Sequence, residues 1–546
     1  MIRNHKSLSE EEILLLLEGD LPDLDLDMSD VEEEIENARQ QDPTTLGIQF
    51  LQGMDLDMVE ILDPQANDED DVPLASRLLA EPNLAPSHSA QKIQCDTHRD
   101  LRWRMKDIEE VDTSCNAVFS DPPGDELTLL QYFRTMCSDD IIQNLVQQSN
   151  LYCTQKTGAS LDTNVREIEK YIGINILAGV VKMPSYRMYW AEATRFSPIA
   201  DSTPRNRLDK LRNYLHVNEN TKMKQREDPD YDKLFKVRPF VDKIKQGFSI
   251  IEPEEYHSVD ELIIPFKGHS SLKQYVKSKP HKWGIKVFAH AGSGGTVYDF
   301  DIYRGKGTVH NDTGLGISGD IVIKHVVGLP KYKNFKVFTD NWFTSYNLIS
   351  ALKNYGILAV GTVRSTRLQG CNLEADSELK KQGRGSYDYR TETERNIIAL
   401  KWYNNKSVVL ASSYKGVSPL EPVKRSSVGE RKYIDVPRPD IVREYNHSMG
   451  GVDLHDMRVA LYRSNTGVKR FYLRIIFHLL DMCVVNSWLL YRRHCRQRRI
   501  TKHMSPLIFR SDVAHGPLKA GDILVRRRGQ PSDDSPSPTV VKKRAT

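Results

Sequence analysis

The feature that most limits what this chain can fold into is a change of hydrophobic period at Tyr256. Upstream, apolar residues recur at helical spacing. Leu129, Leu130, Phe133 and Met136 share one face, and Ile168, Tyr171, Ile172, Ile174, Leu177 and Val180 share another until Pro184 ends it. Residues 207–216 and 240–248 predict two further amphipathic helices. Downstream, 259–266, 284–291 and 297–303 are short β-rich runs divided by turn signals, among them Gly292-Ser293-Gly294-Gly295. In the third run Tyr298, Phe300 and Ile302 alternate with Asp299 and Asp301, which predicts a half-exposed strand. A helix over 319–327, a strand over 335–338, a helix over 345–355 and a strand over 358–363 complete this block. A small β insertion is expected within 370–438, from runs at 386–390, 397–403 and 408–412, before helices resume at Pro439. The chain must therefore join an all-helical block to an α/β block.

Charge separates the ends from this middle. The first 75 residues hold 22 acids against three bases, and from Arg458 onward 19 Lys and Arg stand against five acids. The net charge of +2 is thus an average of two opposed regions. Such acid-rich, Pro-interrupted sequence cannot bury enough apolar surface to offset the entropy of ordering, so residues 1–122 are expected to be mostly disordered. Its short acidic-hydrophobic pieces could bind protein partners. The basic end implies contact with nucleic acid. Lys469, Arg470, Arg492, Arg493, Arg496, Arg498 and Arg499 are the candidate phosphate contacts. Two short basic runs, Arg526-Arg527-Arg528 and Lys542-Lys543-Arg544, would suit nuclear import.

Seven scattered cysteines, with no CxxC pair, fit neither a disulfide framework nor a zinc site, so no zinc is expected. The most apolar stretch, 471–491, contains Arg474, His478, Asp481 and Asn486. Those groups are costly in lipid, which predicts a buried amphipathic helix and no membrane span.

Chemistry enters with three aspartates. Asp260 lies in the first β run, Asp340 follows the fourth, and Asp453 follows Gly450 and Gly451 near a predicted helix. Their spacings, 80 and then 113 residues, leave room for the strands and for the insertion. Asp456 is three residues beyond Asp453 and would share its helix face. Phosphodiester cleavage commonly uses two hard divalent ions, Mg²⁺ or Mn²⁺, held by a few carboxylates. In a chain with 74 acids, position alone is weak evidence, and a strand-end Asp is often only a turn residue.

The surrounding residues are more specific. Thr339-Asp340-Asn341-Trp342-Phe343-Thr344-Ser345, Asp260-Glu261 with Pro265-Phe266-Lys267-Gly268, Lys279-Pro280-His281-Lys282-Trp283-Gly284-Ile285-Lys286, Gly361-Thr362-Val363-Arg364, and Tyr445-Asn446 with Met449-Gly450-Gly451-Val452-Asp453 resemble, in order, the blocks of piggyBac transposases. Upstream, Met183-Pro184, Met188-Tyr189-Trp190 and residues 207–216 also resemble family blocks. The element order resembles a ribonuclease-H-like core.

The resemblance implies Asp260, Asp340 and Asp453 as ligands of two Mg²⁺ or Mn²⁺ ions, with Asp456 assisting. It implies cut-and-paste transposition of double-stranded DNA through hairpin ends at TTAA sites, by a nuclear homodimer. Many members end in a cysteine-rich zinc-binding domain, and no such spacing follows Cys495. A transposase-derived DNA-binding or chromatin-associated protein without turnover is the alternative. The expected organisation is a disordered acidic region (1–122), a helical dimerisation and DNA-binding domain (123–255 and 463–520), a ribonuclease-H-like catalytic domain (256–369 and 439–462), a β insertion (370–438) and a basic disordered tail (521–546).

Overall fold

The computed structural model describes residues 101–519, apart from 116–118, 277, 278, 280, 310–312, 428–431, 465 and 466. The expectations for residues 1–100 and 521–546 lie outside the described residues. After a two-residue strand, β1 (Trp103–Arg104), come helices α1 (Leu129–Met136), α2 (Asp139–Thr157), α3 (Val165–Val180), α4 (Arg205–Tyr214) and α5 (Arg238–Phe248). Strands β2 (Tyr256–Pro265), β3 (Lys273–Tyr275), β4 (Trp283–Gly292) and β5 (Val297–Ile302) follow. Then α6 (Gly316–Val326), β6 (Lys336–Thr339), α7 (Tyr346–Asn354) and β7 (Leu358–Thr362) alternate. The chain continues through α8 (Asp376–Gln382), β8 (Tyr387–Glu392), β9 (Ile397–Tyr403), β10 (Ser407–Ser412), β11 (Glu421–Ser427) and β12 (Lys432–Arg438). It closes with α9 (Asp440–Ser448), α10 (Gly451–Leu461), α11 (Phe471–Gln497) and α12 (Pro506–Lys519).

Local chemistry explains several boundaries. Thr128 and Gln131 form a reciprocal capping box at the start of α1. Asn164 caps α3 by accepting from the Glu167 N–H, and Ser345 caps α7 in the same way through Leu348.

One ten-stranded mixed sheet runs β1-β8-β9-β10-β7-β6-β2-β4-β3, with β5 also on β4. β2, β6 and β7 are parallel neighbours, while β4 is antiparallel to β2 and to β5. Both faces of the central strands are covered, so β2 is buried almost throughout. Leu262, Ile264, Ile285 and Val287 pack towards the helices of the first block, and Val259, Phe288, Val337 and Ala359 towards α6 and α7.

α11 is long and apolar enough to span a bilayer, but 89% of its apolar window is buried inside the protein. Its polar groups have specific partners. Asn486 brackets the backbone of Val297 with two hydrogen bonds of 3.0 and 2.7 Å, tying the helix to β5. Asp481 accepts from Ser464 and from Arg510 of α12.

Three expectations change here. First, order begins well before residue 122. β1 pairs with β8, Trp103 packs edge-on against Tyr346, and Asp107 accepts from the Val417 and Ser418 N–H groups. Acid-rich composition describes the region on average but not these anchoring residues. Second, β8, β9 and β10 extend the central sheet, β10 pairing with β7, while β11 and β12 form a separate hairpin. An unpaired β7 edge would leave backbone donors and acceptors open to aberrant pairing. Third, Asp299 and Asp301 of β5 do not face open water: Lys245 of α5 and Lys324 and His325 of α6 cover them.

Candidate functional site

The parallel ladder sets the first two aspartates. Val259 of β2 pairs with Thr339 of β6, so Asp260 and Asp340 leave adjacent strands at the same level. Asp340 ends β6 in a tight turn, its Oδ1 accepting from the N–H groups of Trp342 (2.9 Å) and Phe343 (3.3 Å). β7 can press against this turn because residue 361 is glycine. A Cβ there would sit 2.2 Å from Thr344 Oγ1 and 2.7 Å from Thr339 O.

The third aspartate arrives on a helix. Gly451 begins α10 directly on the sheet, where a Cβ would meet the Gly292 carbonyl at 2.3 Å and Ser258 Oγ at 2.7 Å. This close approach carries Asp453, in the first turn of α10, towards β2. The Gly292–Gly295 turn, read as a hairpin turn, joins β4 to β5 and also receives α10: its carbonyls accept from His455 at 2.9 Å and from Arg458 at 2.5 Å.

Lys279 joins the group. Its Nζ lies 2.9 Å from Asp453 Oδ1, and it interacts electrostatically with Asp260 as well. Burial lowers the affinity of Lys279 for its proton, but Asp260 and Asp453 more than offset that and hold it above its ordinary range. Burial also pushes the Asp260 carboxyl well above the usual range, opposed by Lys279 and reinforced by Asp453, Asp340 and Glu261. Asp340 is raised for the same first reason, with its two turn N–H groups opposing. Tyr445 of α9, half-buried and raised chiefly by desolvation, feels all three aspartates. Asp260, Asp340 and Asp453 therefore share one electrostatic neighbourhood, and Lys279 acts on all three. Asp456, one turn along α10, is met by Arg463 at 3.6 Å.

Among the described residues, the side chains whose ligand atoms all lie within 4.8 Å of one another are a different set: Asp299, Asp301 and His325. This donor set could hold a divalent ion. It is also already balanced, because Lys245 meets both carboxylates at 3.0 Å and Lys324 meets Asp301. Burial would raise both aspartates, but His325 and Lys245 hold them below the ordinary range.

The candidate phosphate contacts divide sharply. Arg492 is only 2% exposed and stacks over Trp488, so it belongs to the core and not to a DNA-facing surface. Arg493 is held by Glu254 and the Glu252 carbonyl, Arg498 by the carbonyls of Pro123 and Asp125, and Arg470 by the Asn213 carbonyl. Lys469, Arg496 and Arg499 are exposed. Sequence reasoning also passed over Lys279 and Tyr445 as site residues, although both lie in blocks that carry the family resemblance.

Comparison with known proteins agrees with this architecture. The family model described as Transposase IS4 matches residues 129–488. Human PiggyBac transposable element-derived protein 3 is 30% identical over 440 residues, covering 79% of this chain and 72% of the human protein. Human PiggyBac transposable element-derived protein 2 is 29% identical over 427 residues, covering 76% and 70%. The fold is similar to that of the piggyBac transposase in a cryo-EM synaptic complex with hairpin DNA, with a TM-score of 0.61 and 21% identity over 75% of this chain and 83% of that one. Sequence and fold agree over most of the chain: it belongs to the piggyBac transposase family.

Proposed function

We propose that this protein is a metal-dependent DNA transposase of the cut-and-paste type, with Asp260, Asp340 and Asp453 as its metal ligands. The observation that carries the reading is the shared neighbourhood of these aspartates, delivered from β2, the end of β6 and α10. The strand order β5-β4-β2-β6-β7, antiparallel and then parallel, supports a ribonuclease-H-like core. The carboxylates fit Mg²⁺ or Mn²⁺ because they are hard oxygen donors, and burial disfavours the charge of Asp260 and Asp340 unless a cation is near. Two such ions, when bound, supply activation of the attacking oxygen and stabilisation of the leaving oxygen.

The chain's own residues do the rest. The Trp342 and Phe343 N–H groups fix the Asp340 carboxylate in position. Gly451 brings Asp453 to the sheet, and Lys279 offers positive charge beside it to neutralise a phosphate. Asp456 assists from the same helix. DNA is the substrate, held by exposed cations that include Lys469, Arg496 and Arg499. Hairpin formation and joining at TTAA, a homodimeric assembly, protein partners for the acidic N-terminal region and a nuclear location all belong to this reading. It is supported by the hairpin DNA held by the similar transposase.

A second reading has an observation of its own. The human relatives are described as transposable element-derived proteins, which favours a retained DNA-binding role without turnover. Asp340→Asn separates the two. It removes one negative charge from the site with almost no change in volume, and DNA binding survives because it depends on other surfaces. In Mg²⁺ or Mn²⁺, wild type should nick or join transposon-end DNA and the Asn variant should not. Binding by both forms with cleavage by neither would establish the second reading. Equal cleavage by both would overturn the proposed site.

A further inference from the structure

The β3–β4 hairpin carries a feature that the carboxylate site does not use. Tyr275 and Trp283 pair across the two strands and are 52% and 55% exposed. Their ring centroids lie 5.0 Å apart, with the planes inclined at 57°. Lys273 Nζ sits 5.2 Å from the Trp283 ring while donating to the Lys267 and Gly268 carbonyls at 3.4 and 3.2 Å. Two large aromatic rings left together in water are unusual unless something stacks on them.

The surrounding charge narrows what that is. Residues 267–283 hold five lysines and two histidines and not one acid. Lys267 and Lys282 are exposed, and the backbone of exposed Lys469 lies against Gly268. The hairpin also supplies Lys279, bonded to Asp453. An aromatic platform with a basic rim, on the hairpin that also supplies Lys279, matches a nucleic-acid strand with an unstacked base, because it offers both a ring face and phosphate-binding cations.

We propose that Tyr275 and Trp283 form a stacking platform for an unpaired base of the DNA being processed, with Lys267, Lys273, Lys282 and Lys469 holding the flanking phosphates. The inference rests on the DNA-binding reading above and adds to it the kind of DNA preferred. A ring face accepts any base, so the platform selects distorted or single-stranded DNA over regular duplex without reading sequence.

The test uses the full chain and two DNAs of one sequence, a blunt duplex and a hairpin with unpaired tip bases, one of them 2-aminopurine. Wild type should bind the hairpin more tightly and quench the 2-aminopurine. Trp283→Ala should weaken hairpin binding about 5- to 150-fold, the range of one stacked base, and abolish the quenching, with duplex binding and melting temperature unchanged. Trp283→Phe should restore most of both. Equal loss on both DNAs, or no loss on either, would overturn the platform. So would conversion of a dimer to a monomer in sedimentation by Trp283→Ala, which would make this surface a contact between copies. If wild type binds neither DNA, the underlying DNA-binding reading fails too; if it binds both and Trp283→Ala binds them equally well, only the platform fails.

Discussion

Asp481→Asn tests how α12 is anchored. Arg510 of α12 and Asp481 of α11 are 2% and 1% exposed. Arg510 also donates to the Ile176 carbonyl and to Ser464 Oγ, both at 3.2 Å, while the Ser464 N–H and hydroxyl donate to the aspartate at 3.0 and 2.8 Å. At such range the attraction of two unit charges is about 4 kcal/mol for an effective dielectric near 20. The Asn side chain keeps the shape but removes that attraction and leaves a guanidinium buried without its counter-charge. The expected cost is about 3–5 kcal/mol. Reversible urea unfolding, with hydrogen exchange of the α12 amides as a local probe, would measure it. The double variant Asp481→Leu, Arg510→Met should recover most of the loss, because no unpaired charge remains. A single-variant cost below about 1 kcal/mol, the value of an exposed pair, would refute the buried clasp and the docking of α12 with it.

Acid should destabilise the protein early. Burial depresses His257 to about 3 and His455 to about 4, and His290 and His478 lie well below 6.5 for the same reason. The folded state thus binds fewer protons than the unfolded one, so stability is full above about pH 6.5 and falls towards pH 4, by up to about 1.4 kcal/mol per unit for each histidine. A melting temperature unchanged between pH 7.5 and pH 5 would contradict this burial. Gly451→Ala should cost about 1–3 kcal/mol, because its Cβ meets the Gly292 carbonyl, and should weaken Mn²⁺ binding in calorimetry by shifting α10. Unaltered melting and Mn²⁺ binding would argue against the close seat of α10. Trp103→Ala should lower stability by about 1–2 kcal/mol and expose residues 101–115 to limited proteolysis, since the ring packs on Tyr346. Rapid cleavage of this segment in wild type and variant alike would return it to the disordered region expected from composition.

Much of the central fold was legible because its signals are local. The loss of helical period at Tyr256, the alternation in β5 and the run from strand into Asp340 each need only a few neighbouring residues. The same locality explains the misses. Pro422 and Pro437 argue against strands, yet they sit opposite each other in the isolated β11–β12 hairpin, where a missing N–H is tolerated. Gly516 and Pro517 obscure α12. α11 is apolar nearly all round, so its period does not say that Arg492 turns inward while Arg499, just beyond its end, meets solvent. The aspartates were proposed from the family blocks around them, because a strand position or a Gly-Gly helix start is weak evidence by itself. Their common cation was not: Lys279 meets Asp453 across 174 residues, and no local pattern encodes that distance. Sequence by itself determined which segments could be strands and helices, because backbone preference and side-chain period are properties of neighbours. Tertiary structure alone decided which charges are paired, which are buried and which remain exposed, because those depend on what the folded chain brings against them.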